Sequence, residues 1–575
     1  MKKLINFLGL LMLILTSTIF TSCKPEPPVK YTYTETISFD DFQFHGEKTT
    51  EEDATVIHGS TMADNAWAFC TFDLSKYANA VVDIKLSCKM KTSSSVSENL
   101  MWQVNLGDGN YPMVVEAEVA SEWVEVSGNS NSYVDKDGKQ QDPITLLQKS
   151  ILYLSTHETN FENFNVYIKD IDIEITYTTT KKQQNPEDEW MVAPSLKEAY
   201  EGKLDYIGMS VQWNWPKPEF ETAKVQAGLK RHFNSITMGN EMKPDEFLGT
   251  YTVKEPKSFE DFTDSYGTTV KVPKNHLQFG VVDQCLNASK NIGAKMRGHV
   301  LVWHSQTADW FFKENYKSSG ELVDKATMTA RQEWYIKSVL EHIKEWEDKN
   351  NNGERIIYCW DVVNEAAERQ DYLRTDSNWY RIYKDDTFIV NAFRFANKYA
   401  PKDVLLAYND YNEYYEDKRN NIIDIVKSVK KHQSDSTLPT RIDVIGMQSH
   451  LKHGDPYMSD YEATIRDFLT TGLDIHITEL DIASKSRADA DDNQKLKKAY
   501  KDCFKLYLRN AKTSSKNGIT SVTIWGITDG STWLNDEGQQ QWLNYVKPQH
   551  PLLFDDDYYA KPAFYGVLEA AQESN

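Results

Sequence analysis

Cysteine is scarce in this chain, which has six cysteines among 575 residues and none in a C-x-x-C pair. A disulfide framework or a zinc site needs a set of cysteines that lie closer together in the sequence. The sequence therefore predicts neither a disulfide scaffold nor a metal cluster, and we expect no metal and no cofactor. Cys70 and Cys88 fall in one predicted domain and could pair, but spacing alone does not decide that pairing.

A basic surface is also lacking, because 64 Lys and Arg stand against 85 Asp and Glu, a formal net charge of -21. No stretch concentrates enough Lys and Arg to form a basic stripe. A polyanion such as nucleic acid, or an anionic membrane surface, is repelled by such a chain. We therefore expect no nucleic-acid partner, whereas a neutral polymer fits this charge. We also expect a monomer.

Long apolar segments are missing apart from one run at the amino terminus. A basic start and an apolar run over residues 4–15 precede Cys23, a layout typical of a secretory signal. The run is shorter than the ~20 residues that span a bilayer. The small residues before Cys23 resemble the lipobox of bacterial lipoproteins, although Phe20 stands where leucine is usual. We expect a signal peptide over 1–22 and export of a chain anchored to a membrane by lipidated Cys23, at the cell surface or facing the periplasm.

Residues 23–177 predict a tether followed by an all-β module. Prolines make residues 23–30 resistant to helix and sheet, as in an extended tether. Short alternating apolar and polar runs recur over 31–177 and predict a β-sandwich. They loosely resemble the jelly-roll carbohydrate-binding modules that precede polysaccharide hydrolases.

Aromatic residues are abundant, with 15 Trp and 31 Tyr, and their flat faces can stack on sugar rings. Within the module, Trp67, Trp102 and Tyr111 are candidate sugar platforms, and Trp123 is predicted to be structural. A strand with one buried face hides half of its side chains, so core packing is the commoner role for each.

A polar linker over 178–189 precedes a domain at 190–575 in which strand-like runs alternate with helical patterns. This order predicts a (β/α)8 barrel, the TIM barrel, with a polar insertion at 249–275. The eight predicted strands are 205–211, 235–240, 295–303, 355–365, 404–409, 443–450, 474–481 and 521–529.

Two of these strands end near glutamates. Glu365 closes WDVVNE and Glu479 lies in ITELD. Because the strands of a parallel barrel share one carboxyl-terminal mouth, the two carboxylates are expected to face each other there. Glycoside hydrolysis needs such a pair, with one acid protonated and one ionised. A period-two strand also puts Asp481 on the face of Glu479, where it can orient a histidine.

Six motifs in one order carry a resemblance to glycoside hydrolase family 10, the endo-β-1,4-xylanases. They are RGHVLVWHSQT from 297, WDVVNEA from 360, YNDYN from 408, IGMQSH from 445, ITELDI from 477 and WGITDGSTWL from 525. The resemblance covers about 190–572. It implies a retaining endo-1,4-β-xylanase that acts on xylan or xylo-oligosaccharides.

The resemblance also implies roles for individual residues. Glu365 would be the general acid/base and Glu479 the nucleophile, with Asn364, His450 and Asp481 in support. Asn364 would hold the 2-hydroxyl of the sugar being cleaved. The positions expected to line the sugar subsites are Asn240, Lys243, His299, Trp303, Gln448, Trp525 and Trp533.

One motif departs from the family, which usually reads Glu-Asn-x-Met-Lys where this chain has GNEMK from Gly239. The acid that would bind sugar hydroxyls in the glycone subsite beyond the cleavage point is absent. Glu241 is a candidate replacement on the same strand face. Alternatively, Gly239 makes room for a substituent on the xylan backbone.

Two other functions remain open from the sequence. A glucan-active or mixed-specificity hydrolase could use the same site, because xylose and glucose differ by one hydroxymethyl group. A non-hydrolytic surface glycan-binding protein would need neither carboxylate, and the presence of both with their orienting partners disfavours it.

Overall fold

The computed structural model describes residues 31–574 except for 63–65, 157–162, 180–184, 215–217, 251–253 and 537–545. The chain divides into two units, Met1–Gln183 and Gln184–Asn575. The predicted signal peptide, the tether and Cys23 lie outside the described residues. Among the residues described, no helix is both long and apolar enough to cross a bilayer.

The first unit is an antiparallel β-sandwich, as predicted. One sheet has the order β12-β6-β14-β4-β3, with β1 also on β14 and β9 on β6, and the other has the order β2-β5-β13-β7-β8. The strands are β1 (Tyr31–Thr36), β2 (Gln43–Phe44), β3 (Lys48–Glu51), β4 (Ala54–Ile57), β5 (Cys70–Asp73), β6 (Val81–Thr92), β7 (Glu98–Asn105), β8 (Met113–Val119), β9 (Val124–Ser130), β10 (Tyr133–Val134), β11 (Gln140–Gln141), β12 (Ile144–Thr145), β13 (Ile151–Thr156) and β14 (Val166–Thr179). Strands β10 and β11 form a separate pair.

The inward side chains of both sheets form the core of this unit. Trp102 is fully buried, with Phe39 and Phe42 packed against its ring. Trp102 therefore has the commoner role expected of it, core packing, and is excluded as a sugar platform, because the alternation of β7 points its ring into the core. Cys70 and Cys88 are buried free thiols, so they do not pair.

The second unit contains a closed barrel of parallel strands in the order β15-β16-β19-β20-β21-β22-β24-β25, with β25 paired back to β15. Its strands are β15 (Tyr206–Val211), β16 (Ser235–Met238), β17 (Phe259–Thr263), β18 (Thr269–Pro273), β19 (Lys295–Trp303), β20 (Ile357–Asn364), β21 (Leu405–Asp410), β22 (Val444–Met447), β23 (His450–Lys452), β24 (Asp474–Ala483) and β25 (Ile519–Ile524). The predicted eight-stranded barrel is confirmed. Every residue of β20 is buried, as expected for a strand covered on both faces.

The helices described in this unit comprise a short one that precedes the first barrel strand and others that follow barrel strands. They are α1 (Leu196–Ala199), α2 (Ala223–His232), α3 (Pro244–Phe247), α4 (Gly280–Ile292), α5 (Lys325–Asn350), α6 (Asn378–Tyr383), α7 (Thr387–Tyr399), α8 (Glu416–Lys431), α9 (Met458–Leu469), α10 (Arg487–Asp491), α11 (Asn493–Arg509) and α12 (Pro562–Gln572). Asp324 caps α5 by accepting from the N–H groups of Ala326 and Thr327.

Two predicted strands differ from the structure, because 443–450 is divided into β22 and β23 and the last strand is shorter than expected. The last strand ends at Ile524 rather than at 529, because Gly526 adopts φ 125° and a 3-10 helix over Asp529–Ser531 follows. Trp525 therefore lies in a loop at the barrel mouth. The polar insertion at 249–275 holds the hairpin β17–β18.

Candidate active site

The predicted catalytic and sugar-binding side chains lie at the carboxyl ends of the barrel strands or in the loops that follow. Trp303 ends β19, Glu365 follows β20, Glu479 lies in β24 and Trp525 follows β25. Because the parallel strands share one mouth, residues far apart in sequence meet there.

Glu365 is half-buried, and its carboxylate accepts hydrogen bonds from three neutral donors. Trp303 Nε1 donates to Oε2 at 2.9 Å, and Gln448 Nε2 and Asn364 Nδ2 donate to Oε1 at 2.8 and 3.2 Å. Neutral donors orient the carboxyl group without placing a positive charge beside it.

His304 lies next to Glu365, with Nδ1 3.9 Å from Oε2. Burial, together with the charge of Arg374, lowers the pKa of His304 to about 4. The ring is therefore neutral at pH 7. Arg374 also donates from Nε to the carbonyl oxygen of Glu365 at 3.1 Å, so it holds the backbone of the loop after β20.

Glu479 has a different environment, because it is 5% exposed and faces a histidine. Asn409 Nδ2 donates to Oε1 at 2.9 Å, and His450 Nε2 lies 3.4 Å from Oε2. Burial raises the pKa of Glu479, but the hydrogen bond from His450 and the electrostatic effects of His299 and His450 outweigh it, so the pKa lies below its usual value. Glu479 is thus held ionised.

His450 lies between two carboxylates, and the pairing of β23 with β24 sets it opposite Asp481. His450 Nδ1 and Asp481 Oδ1 are 3.0 Å apart, an ion pair that lacks the alignment of a hydrogen bond. Burial alone would lower the pKa of His450, but the charge of Asp481 and the contact with Glu479 raise it to about 10. Trp533 Nε1 donates to the other oxygen of Asp481 at 2.7 Å.

A second buried ion pair lies deeper in the barrel. Arg297 donates from Nε to Asp361 Oδ2 at 3.0 Å and from a terminal nitrogen to Oδ1 at 2.5 Å. Burial raises the pKa of Asp361, but the charge of Arg297 lowers it overall. His299 Nδ1 contacts the same carboxylate at 2.9 Å, and the edge of its ring meets Trp525. This pair sets the position of His299.

Asn240 and Lys243 belong to a network of amides at the same mouth. Lys243 Nζ donates to Asn240 Oδ1 at 3.1 Å and to Gln306 Oε1 at 2.9 Å. It also lies 5.0 Å from the centre of the Trp303 ring. Burial lowers the pKa of Lys243, and the surrounding carboxylates oppose that shift.

Gln306, Asn409 and Gln212 are site residues that the sequence reasoning did not single out. Asn409 Nδ2 donates to both Glu479 Oε1 and Asn364 Oδ1, so it joins strands β20 and β24. Gln306 and Asn409 lie within the RGHVLVWHSQT and YNDYN motifs, which were the available signal. Gln212 lies in no motif, and nothing in the sequence pointed to it.

Neither explanation for Gly239 agrees with the structure. Glu241 is buried and accepts from the backbone N–H groups of Trp213 at 2.5 Å and Asn240 at 3.2 Å, so it fixes the backbone rather than facing a sugar. The space beside Gly239 is not open for a substituent, because the Gln212 side chain fills it.

Across the described ranges, no group of three or more His, Cys, Asp or Glu side chains is placed to hold a metal ion. His299 is committed to Asp361, and His304 lies beside Glu365. The site chemistry derived above uses carboxylates, histidine and amides.

Comparison with known proteins places these observations in a family. The profile described as Glycosyl hydrolase family 10 matches residues 195–570. The chain is 30% identical over 541 residues to endo-1,4-beta-xylanase Y of Acetivibrio thermocellus, a match that covers 90% of this chain and 44% of that protein. It is 33% identical over 396 residues to endo-1,4-beta-xylanase A of Butyrivibrio fibrisolvens, covering 66% and 85%. The chain thus spans less than half the length of the first of these relatives.

A solved structure matches both units. It holds the CBM22-1 and GH10 modules of the N-terminal endo-1,4-beta-D-xylanase 10B of Clostridium thermocellum in complex with xylohexaose. It is 26% identical, covers 94% of this chain and 93% of that chain, and gives a TM-score of 0.53. With the profile matched over most of the barrel unit, the chain belongs to glycosyl hydrolase family 10.

Proposed function

We propose that this protein is a retaining endo-1,4-β-xylanase. One observation carries the proposal: two glutamates at one barrel mouth contact the same neighbours, yet only Glu479 faces a charged histidine. Gln448 donates to Glu365 and accepts from the N–H of Glu479. Unequal environments are what assign two carboxylates to two jobs.

In the first step, the Glu479 carboxylate attacks the anomeric carbon while Glu365 gives its proton to the leaving oxygen. In the second step, Glu365 takes a proton from water, which attacks the anomeric carbon and displaces Glu479. Two inversions retain the β configuration. This mechanism requires the carboxyl groups to lie about 5 to 5.5 Å apart.

Asn364 is oriented for a third role. Its Oδ1 accepts from Asn409 Nδ2 at 3.0 Å and Gln448 Nε2 at 3.2 Å, so its Nδ2 is the donating end. One hydrogen of Nδ2 goes to Glu365 Oε1 at 3.2 Å, and the second remains for a ligand. A donor beside Glu365 suits the 2-hydroxyl of the sugar being cleaved, and this bond can strengthen in the transition state.

The proposed substrate is xylan, supported by family membership and by the names of the relatives. The experiment below also tests β-1,4-glucan as a substrate, because the barrel motifs do not distinguish xylan from β-glucan. We further propose that His299, Trp525 and Trp533 line the sugar subsites, since hydrogen-bonding groups and ring faces suit hydroxyls and pyranose rings.

The sandwich unit is proposed to hold the polymer. Trp67 and Tyr111 are 46% and 51% exposed. The Trp67 ring meets the edge of Tyr153, whose hydroxyl donates to Gln103 Oε1, and Gln103 Nε2 donates to the carbonyl of Tyr111 at 2.9 Å. The two exposed rings lie in loops that precede β5 and β8, connected through Tyr153 of β13 and Gln103 of β7, and they form a surface for sugar stacking.

Export and lipid attachment at Cys23 are proposed from the sequence alone, with 23–30 as the tether. The support is the layout of residues 1–22 and the resemblance of the residues before Cys23 to a lipobox. An anchored enzyme would act on polymer outside the membrane. The linker predicted at 178–189 can begin only after Thr179, because residues 178 and 179 belong to β14 and pair with β1.

The purified protein should release reducing ends from xylan about 10- to 200-fold faster than from β-1,4-glucan, the range that one hydroxymethyl group supports. The first-formed product, followed by NMR, should be the β anomer. Glu479→Gln should abolish the release of reducing ends from both xylan and β-1,4-glucan. An α product, or faster release from glucan, would contradict the proposal.

Glu365→Gln should reduce hydrolysis of xylan by about 10²- to 10⁴-fold, because the leaving sugar needs a proton. Hydrolysis of an aryl xyloside with an activated leaving group should fall far less in its first step. Glu354→Gln, an exposed glutamate before β20, is the matched control. Equal losses on both substrates would exclude Glu365 as the acid.

Asp481→Asn should shift the acidic limb of the pH profile of kcat/KM to higher pH. Glu479 works ionised, so activity disappears as the pH falls through its lowered pKa. Without the Asp481 charge, the pKa of His450 falls, because that charge opposes the effect of burial on the ring. The pKa of Glu479 then rises, because the contact that lowers it is with His450 and not with Asp481. Asp474→Asn, on the same strand and paired with Lys512, is the control. An unmoved limb would argue against this role.

Trp67→Ala and Tyr111→Ala should each weaken retention on insoluble xylan about two- to tenfold without changing turnover of soluble oligosaccharides. Trp123→Ala is the matched control, since Lys91 and Lys169 lie over that ring. Deleting 24–180 should likewise spare oligosaccharide turnover. A folded deletion variant without that turnover would show that the sandwich contributes to the active site.

A further inference from the structure

Gln212 and Gly239 share one small space at the barrel mouth. Gln212 follows β15 and Gly239 follows β16. A Cβ atom at position 239 would lie 2.2 Å from Gln212 Nε2 and 2.9 Å from its Cδ, distances that real Cβ contacts do not reach. The amide can occupy this place only because residue 239 has no side chain.

Lys243 determines how the neighbouring amides are oriented. An ammonium group only donates, and Nζ donates to Oδ1 of Asn240. Asn240 therefore turns its Nδ2 towards Gln212, where it donates to Oε1 at 2.9 Å. It follows that Gln212 presents its NH₂ group on the side away from Asn240.

The backbone and the Oε1 atom of Gln212 are held by hydrogen bonds, which fix its NH₂ group in place without engaging it. Its N–H donates to Glu219 Oε2 at 2.9 Å, and its carbonyl accepts from the N–H of Phe220 at 3.0 Å. Across the described part of the chain, no acceptor engages Gln212 Nε2. A fixed, half-buried amide with an unused donor is prepared for a ligand.

The amide network also reaches the reacting groups. Gln306 bonds both Asn240 and Lys243. The charges of Glu479 and Glu365 act on Lys243 and oppose the effect of burial on its pKa. Two hydrogen bonds, through Asn240, therefore connect the amide of Gln212 to Lys243, whose pKa is affected by both carboxylates.

We propose that Gln212 Nε2 donates a hydrogen bond to a hydroxyl oxygen of the xylose unit beyond the one being cleaved, and that Gly239 admits this amide. The inference rests on the proposed function, because it names a contact of the same site. The neutral NH₂ group of Gln212 occupies the space that a side chain at position 239 would otherwise fill. Glu241 supports this arrangement by holding the N–H of Trp213, the next residue.

Two chromogenic substrates test the contact. An aryl β-xyloside carries one sugar, and an aryl β-xylobioside adds the unit beyond it. Gln212→Ala should lower kcat/KM for the xylobioside about three- to tenfold, the range for one neutral hydrogen bond, and change the xyloside by less than about twofold. An unchanged ratio between the substrates would overturn the proposal.

Gly239→Ala tests the shared space from the other side. Its Cβ should displace the amide and reproduce the loss on the xylobioside. Once Gln212→Ala has removed the amide, adding Gly239→Ala should cause little further loss, because residues that share one space are not additive. Independent, additive losses would show that the two positions do not act together.

Gln284→Ala, on the outer helix α4, is the matched control and should leave both substrates unaffected. Thermal melts show whether each variant folds, and if Gly239→Ala does not, the ratio for Gln212→Ala decides alone. A wild-type protein inactive on xylan and on both aryl substrates would refute the proposed function and this inference with it. An active wild type with an unchanged ratio in Gln212→Ala refutes only this inference.

Discussion

Carboxylates buried close together must be neutralised, and this constraint organises the mouth of the barrel. Glu479, Asp481 and Asp361 are all nearly inaccessible to solvent, where an unpaired charge would cost several kcal/mol. Arg297 neutralises Asp361 through two hydrogen bonds, and His450 serves the other two. The burial of these two carboxylates therefore accounts for the raised pKa of His450 without reference to any reaction.

The same constraint separates the two glutamates. His450 is already paired with Asp481, so its remaining nitrogen faces Glu479 and leaves Glu365 to neutral donors. Asn409 and Gln448 then tie the two strands together by short hydrogen bonds. Since β21 and β22 lie between β20 and β24 in the barrel, these amides span the gap across the mouth.

Much of this arrangement could be predicted from the sequence, because strand periodicity is local. The runs before Glu365 and Glu479 read as buried strands, and the structure places both residues at one mouth. The relation of Gln212 to Gly239 could not be predicted, since it depends on the packing of two neighbouring strands. Glu241, one of the two candidate explanations for Gly239, does not replace the missing acid for a related reason. The strand β16 ends at Met238, so strand alternation no longer describes the direction of the Glu241 side chain.

The sandwich unit shows what strand alternation does not predict. Alternation predicts that every second side chain is buried, but it does not say which face of a strand looks inward. Trp102 and Trp67 were therefore equivalent candidates. In the structure, β7 directs Trp102 into the core, whereas Trp67 lies outside the strands, before β5, and is exposed.

Glu365 also has an unusual backbone conformation. Its φ of 56° is left-handed, which costs a residue with a side chain about 1 to 2 kcal/mol. The surroundings overdetermine this conformation: the N–H of Glu365 donates to the carbonyl of Asn409, and the next two N–H groups donate to the hydroxyl of Tyr408. Asp410 accepts from that hydroxyl and pairs with Lys418, so a buried ion pair holds the turn. This left-handed conformation turns the chain sharply after β20. The carboxyl group of Glu365 is therefore held by the turn as well as by its own hydrogen bonds.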